Sequence, residues 1–216
     1  MGTVQAARGC TVWLGSRDLA AGLSAAAEID GDVRVVELDV TKDVSVMAAA
    51  EEIGSGGRVD ILINNAGIGG SRPAVEATTA DDFADVLDVN LLGVVRVTHS
   101  LLPLLHNSVH PRIVNVSSGR GSFAINSDPE RMESQLQGLV YPVSKTALNM
   151  LTYQYARALP NFHINAVDPG FTATALNNHT GTSTAAQSAQ TIVRLALASP
   201  DGRTGLLFDA TGTIDW

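Results

Sequence analysis

The sequence predicts an α/β chain built on a parallel, doubly wound sheet with helices on both faces. Two observations predict it. Short β-branched runs alternate with alanine-rich helical stretches, and the runs are apolar nearly throughout. Parallel neighbours need a crossover, which the alternation supplies; continuous apolarity means that both faces of each strand are covered. With 216 residues, no repeat and no linker, the chain reads as one domain, 1–216.

The strands are expected at TVWLG (11–15), VRVVELDV (33–40), VDILINNAG (59–67), RIVNVSS (112–118), HINAVDPG (163–170) and GLLFDA (205–210). Between them, Asp18 is placed to cap the DLAAGLSAAAEI helix. Thr41 and Asp43 are candidates to start the next helix. Thr79 precedes Ala80-Asp81-Asp82 and suits the cap of the following one, with carboxylates in the first turn. Residues 119–140 are polar and turn-rich and contain Asp128-Pro129, so they read as one long irregular segment. A segment of that length is usually a lid or substrate loop. Its Phe123, Ile125, Met132 and Leu136 suggest a partly apolar ligand.

Composition limits the function. Hydrophobic residues make up 45% and the net charge is −8, so the chain is globular and lacks the basic face that nucleic acid or an anionic membrane requires. Apolar stretches are broken short of the ~18 residues of a membrane span. Cys10 is the one cysteine, which suits a reducing, cytoplasmic setting. The five histidines are scattered, and no metal site is expected.

The strongest chemical signal is Tyr141-Pro-Val-Ser-Lys145 at the start of a helix. Residues i and i+4 share a helix face, so phenol and ammonium can point into one site. A free tyrosine ionises near ~10, and a neighbouring cation brings it closer to working range. Ser117-Ser118 ends a strand on the side where parallel sheets hold their sites, and a hydroxyl there can bind a carbonyl oxygen as charge develops. YxxxK alone is common by chance. It becomes specific in combination with NNAG (64–67), Asn90, IVNVSS (113–118) and DPG (168–170), in that order.

With these motifs the chain resembles the short-chain dehydrogenase/reductase family, nearest its carbonyl-reductase-like branch, from about Gln5 to the C-terminus. The resemblance implies a Rossmann-like fold and NADPH-dependent reduction of a small-molecule ketone or aldehyde. It implies Tyr141 as general acid, with Lys145 lowering its pKa and holding the nicotinamide ribose. Ser118 would orient the carbonyl, Ser117 being the less favoured serine, and Asn90 would fix a relay water. Asn65, Ala66 and Gly67 would line the cofactor groove, with Asp39 and Val40 beside the adenine. Pro169, Gly170 and Thr174 would close over the nicotinamide. Ser16 and Arg17 follow the family's second strand, where arginine suits a 2′-phosphate and so favours NADPH over NADH. The family's dimer surfaces would fall on the helices near 81–105 and 141–158. Their Val94, Val95, Leu102, Leu148 and Leu151 make a homodimer an option.

The start of the chain departs from the pattern. Nine residues precede Cys10, whereas a strand, the TGxxxGxG turn and a helix need roughly 20–24. QAARG reads as the tail of that helix and Met1-Gly-Thr-Val as a strand remnant, so the first family strand and its phosphate loop are expected to be missing. Loss of a central strand would leave two unpaired edges. Either TVWLG closes up beside ILINNAG, carrying Arg17 toward the place of the turn, or a partner chain fills the gap. Three functional readings stay open besides reduction: cofactor-independent acid–base chemistry on the same residues, a non-catalytic partner subunit, and a working protein longer than this sequence.

Overall fold

The computed structural model describes residues 9–198 and 203–216. The QAARG helix tail and the Met1–Val4 strand remnant lie outside the described residues, apart from Gly9. In chain order the elements are β1 (Val12–Ser16), α1 (Leu19–Ala27), β2 (Val33–Glu37), α2 (Asp43–Gly54) and β3 (Ile61–Asn64). Then come α3 (Ala80–Leu87), α4 (Gly93–Leu105), β4 (Arg112–Val116), α5 (Phe123–Ser127) and α6 (Met132–Gln135). The last are α7 (Val140–Ala158), β5 (His163–Val167), α8 (Ala185–Leu197), β6 (Leu207–Phe208) and β7 (Thr213–Ile214).

All pairings are parallel except the closing β6–β7 pair; β6 falls within the expected GLLFDA run, while β7, two residues long, was not read from the sequence. Strand residues alternate between two cores. Leu62, Ile113 and Ile164 meet Val46, Ile53, Val97 and Leu101 on the face of α2 and α4. Ile61, Ile63, Val114 and Val167 meet Ile192 and Ala196 of α8 on the other. The expected doubly wound α/β architecture is therefore present.

The ladders, however, form two groups: β1–β2, and β3–β4–β5–β6–β7. The expectation that TVWLG pairs beside ILINNAG is overturned, because β1 bonds β2 and β3 bonds β4, and among the described residues no ladder joins the two groups. Side chains join the two groups instead. Arg96 of α4 donates to the carbonyl of Val40 at 3.2 Å and pairs with Asp43 at 3.2 Å and Asp88 at 2.7 Å. The backbone of Gly93 leaves room for Val40, whose Cγ2 would lie 2.8 Å from any Cβ there. The β2–α2 turn is thus fastened to α4, which ties the two-stranded unit to the larger sheet's helices. With no closing up, the argument that closure carries Arg17 toward a phosphate site falls.

Several local expectations meet the structure. Asp18 caps α1 by accepting from the Ala21 N–H at 3.0 Å, and Thr79 forms a capping box with Asp82. Thr41 does not start α2: its hydroxyl donates to Asp39 at 2.7 Å, and the preceding cap residue is Lys42. Residues 119–140 are not irregular, since they contain α5 and α6. Short polar helices of four or five residues carry too little periodicity to be read. Ile125 is buried there while Phe123 is exposed. Val94 and Leu148 are buried, so they pack the core and contribute nothing to an outer dimer face. The helical run Ala80–Leu105 is long and apolar enough to cross a membrane by length and composition. Its Val86, Val94, Val97, Leu101 and Leu105 are buried within the fold.

A buried polar ladder ties the sheet to its helices. Asn64 donates to Asn115 Oδ1 at 2.9 Å and to Thr98 at 3.3 Å. Asn115 donates to Thr152 Oγ1 at 2.9 Å, and Thr152 donates to the Leu148 carbonyl at 2.8 Å. All four side chains are buried. Replacing Asn115 with Leu removes the acceptor of Asn64 and a donor to Thr152, and buried groups left without partners cost roughly 1–3 kcal/mol. Asn115→Leu is expected to lower the unfolding free energy by roughly that 1–3 kcal/mol, read as a lower urea midpoint at unchanged slope, and an unaltered midpoint would show the ladder to be dispensable.

Candidate active site

The site forms where β3, β4 and β5 end and α7 begins. Lys145 lies one turn into α7, fully surrounded by protein, and its ammonium donates to the Val116 carbonyl at 2.8 Å. Gly121 makes this approach possible, because a Cβ there would fall 2.7 Å from the backbone carbon of Lys145. Burial pulls the Lys145 pKa down to about 8, partly offset by the negative charge of Asp168. The ammonium also lies 5.7 Å from the centroid of the Tyr141 ring, over its face.

The Ser118 hydroxyl lies beside the Tyr141 phenol and favours its ionised form. Desolvation raises its pKa above the ordinary 10.0, Asp168 adds to the rise, and Ser118, Arg120 and Arg72 oppose it. The phenol therefore holds its proton through neutral pH. Ser118 also accepts from the Arg120 N–H at 3.2 Å, opening a 3₁₀ turn at Gly119–Gly121. Ser117 points elsewhere: it donates to Asn149 Oδ1 of α7 and is buried. Of the two serines, only Ser118 faces Tyr141.

Asn90 is wholly buried in a π-helical turn, Asp88–Leu92, set between α3 and α4. Its Oδ1 accepts from the Ile68 N–H at 2.8 Å, and its amide donates to the Ile68 carbonyl at 2.9 Å and to Ser144 at 3.0 Å. Ser144 donates to the Tyr141 carbonyl at 2.7 Å. Both amide hydrogens of Asn90 are thus spent on positioning, and the structure brings Asn90, Ser118, Tyr141 and Lys145 together. The π turn was not legible in the sequence, since a one-residue bulge leaves the surrounding apolar periodicity almost intact. Such turns are frequent at functional sites.

The expected cofactor residues divide. Asn65 and Ala66 are exposed at the end of β3. Gly67 packs inward, and a Cβ there would stand 3.4 Å from Asn90 Oδ1 and 3.6 Å from Lys145 Nζ. Pro169 is half-buried at the end of β5, and Gly170 beside it has φ +80° and open space around it. Arg17 is exposed and makes no ion pair or hydrogen bond with any described residue, while Ser16 donates to the Asp18 carbonyl at 2.7 Å. Asp39 is engaged locally. The Thr41 hydroxyl and N–H and the Lys42 ion pair at 3.3 Å hold its carboxyl down to about 2. Val40 packs on Gly93 as described, and the Thr174 side chain is spent capping the turn Ala175–Asn177.

Sequence reasoning missed three charged residues at this site. Asp168 accepts from the N–H groups of Gly119 and Gly170. Burial raises its pKa, as do the charges of Glu133 and Asp209. Arg120 is buried behind the Ser118 turn, and Arg72 lies in the same cleft. The DPG motif contained the signal for Asp168. An arginine two places after a strand-end serine was the available signal for Arg120.

Comparison with known proteins shows the family and the fold. The family model described as short chain dehydrogenase matches residues 3–185. The (+)-neomenthol dehydrogenase of Arabidopsis thaliana is 32% identical over 89% of this chain and 84% of its own. Salutaridine reductase of Papaver bracteatum is 28% identical over 94% of this chain and 87% of its own. The solved structure of salutaridine reductase from Papaver somniferum superposes with a TM-score of 0.77 at 27% identity, covering 95% of this chain and 93% of that one.

Lys145 provides a test through stability. Its pKa is about 8 in the folded chain against an ordinary 10.5. Between those values the unfolded chain binds a proton that the folded chain has released, so stability rises with pH. Urea midpoints at pH 7.5 and pH 9.5 should therefore shift in favour of the wild type relative to Lys145→Met as pH increases. An unchanged difference would mean that the ammonium is not desolvated.

Proposed function

The chain belongs to the short-chain dehydrogenase family, and from that premise we propose that it reduces a ketone or aldehyde with NADPH, using Tyr141 as the general acid. The observation that carries this reading is the convergence of Tyr141, Ser118 and Lys145 at one sheet end, with the phenol kept protonated by burial. The residues present fit a nicotinamide dinucleotide. Gly67 gives a close-packed backbone wall against Asn90 and Lys145, Gly170 leaves open space, and Arg17 offers a guanidinium that pairs with none of the described residues and suits a phosphate. When bound, the nicotinamide supplies a hydride to the carbonyl carbon.

The protein's own groups do the rest. Ser118 donates to the carbonyl oxygen and fixes its direction. Tyr141 gives that oxygen its proton as the carbon is reduced, so the product is the alcohol. The phenolate left behind is relieved by the positive groups around it. Arg120 and Arg72 act on the phenol directly, and Lys145 sits over the ring. Lys145 also holds the ribose side of the groove, with Asn65 and Ala66 along its wall. Asn90 keeps the end of β3 seated against Lys145 through its bonds to Ile68. Arg17 selects for the 2′-phosphate, with Ser16 beside it. Asp39 and Val40 border the adenine, and Pro169, Gly170 and Thr174 border the nicotinamide.

The experiment is NADPH oxidation followed at 340 nm with a panel of ketones and aldehydes. Tyr141→Phe is expected to lower kcat about 10²–10⁴-fold, the usual worth of a positioned acid. Arg17→Ala is expected to lower kcat/KM for NADPH about tenfold or more and to leave that for NADH little changed. Absence of any NADPH binding at millimolar concentration, by fluorescence titration, would end the redox reading.

A further inference from the structure

Two arginines converge beside Tyr141, and among the described residues neither is ion-paired with a carboxylate, Asp168 included. Arg120 and Arg72 line one cleft together with Gly69, Ser71, Gly138 and Tyr141. Arg120 is only 9% exposed. One of its terminal nitrogens donates to the carbonyls of Leu136 at 2.8 Å and Gln137 at 3.1 Å, which fixes the guanidinium. Its Nε is buried and has no partner. Among the described residues neither arginine forms an ion pair; the six that exist involve other cations. The charged or titratable groups that act on Arg120 are Arg72, a like charge, and Tyr141.

Burying a cation beside another cation is unfavourable unless an anion joins them. A guanidinium held rigidly by backbone carbonyls at the wall of a cleft is preorganised to accept one. The phenol shares the cleft, and the Arg120 N–H is one hydrogen bond from Ser118. Any anion bound there is therefore close to the reacting carbonyl.

We propose that Arg120 and Arg72 form an anion subsite beside Tyr141, and that the substrate is a ketone bearing a carboxylate within a few bonds of its carbonyl carbon. This rests on the reductase reading and narrows its substrate class. The redox step is unchanged: hydride to carbon and the Tyr141 proton to oxygen give a hydroxy acid, and the carboxylate takes no part in bond making.

The probes are 2-oxo-4-phenylbutanoate and its ethyl ester, which differ in charge at one end. With NADPH, the wild type is expected to show a kcat/KM for the acid about 10–100-fold above that for the ester, the range of one or two charge-assisted bonds. Arg72→Ala and Arg120→Gln should each cut that ratio about tenfold, mainly through KM of the acid. Arg72 is exposed, so its variant keeps the test open if Arg120→Gln fails to fold. A wild-type ratio near one, or a ratio unmoved by both substitutions, overturns the proposal while leaving the reductase reading intact. A variant that shifts the pH profile equally for acid and ester shows that the arginines serve Tyr141 alone, and also overturns it. If no probe oxidises NADPH, calorimetric titration of acid and ester decides the subsite separately. Tighter binding of the acid, lost in Arg72→Ala, supports it, and equal binding refutes it.

Discussion

Helix α7 lies along β4 with polar side chains on much of its buried face. Lys145, Asn149 and Thr152 fall at i, i+4 and i+7, on one stripe, and each meets a partner on β4 or at its end. Lys145 bonds the Val116 carbonyl, Asn149 accepts from Ser117, and Thr152 accepts from Asn115. An apolar seam tolerates sliding by a fraction of a turn, since one methyl contact replaces another. A hydrogen-bonded seam does not, because a shift would leave buried donors and acceptors unmet. The axial position of α7 is therefore fixed, and with it the position of Tyr141 one turn before Lys145. The geometry of the site depends on this seam more than on any contact within the site.

That register sets the electrostatics as well. The ammonium of Lys145 is spent on a backbone carbonyl and the ring face, so the cations acting on the phenol hydroxyl are the two arginines from neighbouring loops. Asp168 opposes them from the end of β5, held by two backbone N–H groups. The site combines one carboxylate and three cations around a neutral phenol. Burial decides the protonation states of Tyr141 and Lys145, and the surrounding charges adjust them.

Much of this was readable from the residues. The strand runs, the YxxxK spacing and the strand-end serines follow from local rules, because side-chain direction in a helix or strand depends on position alone. The choice of Ser118 over Ser117 was favoured from the sequence, and the geometry shows the reason: alternation along the strand turns Ser117 into the α7 seam. What was not readable depends on contacts distant in the chain. Arg72 and Arg120 lie in separate loops, and nothing in either loop reports the other. The two-part sheet was misjudged because unpaired strand edges were weighed, while the Arg96 network that holds β2 and α2 against α4 was not. Val94 and Leu148 were assigned outward because apolar residues cover most of both helices, which leaves the buried face undefined.

The π turn at Asp88–Leu92 has a mechanical consequence. This turn takes up one residue more than an α turn, so the helix beyond it faces the core as a helix one residue shorter would. Val86 is buried ahead of the turn, Val97 and Leu101 behind it, and Asn90 at the junction. Removing one residue here would regularise the hydrogen bonds and leave the two halves aligned. What would be lost is the wide turn that seats Asn90 against Ile68 and Ser144. A single-residue deletion in this stretch would therefore be borne by the fold more readily than by the site.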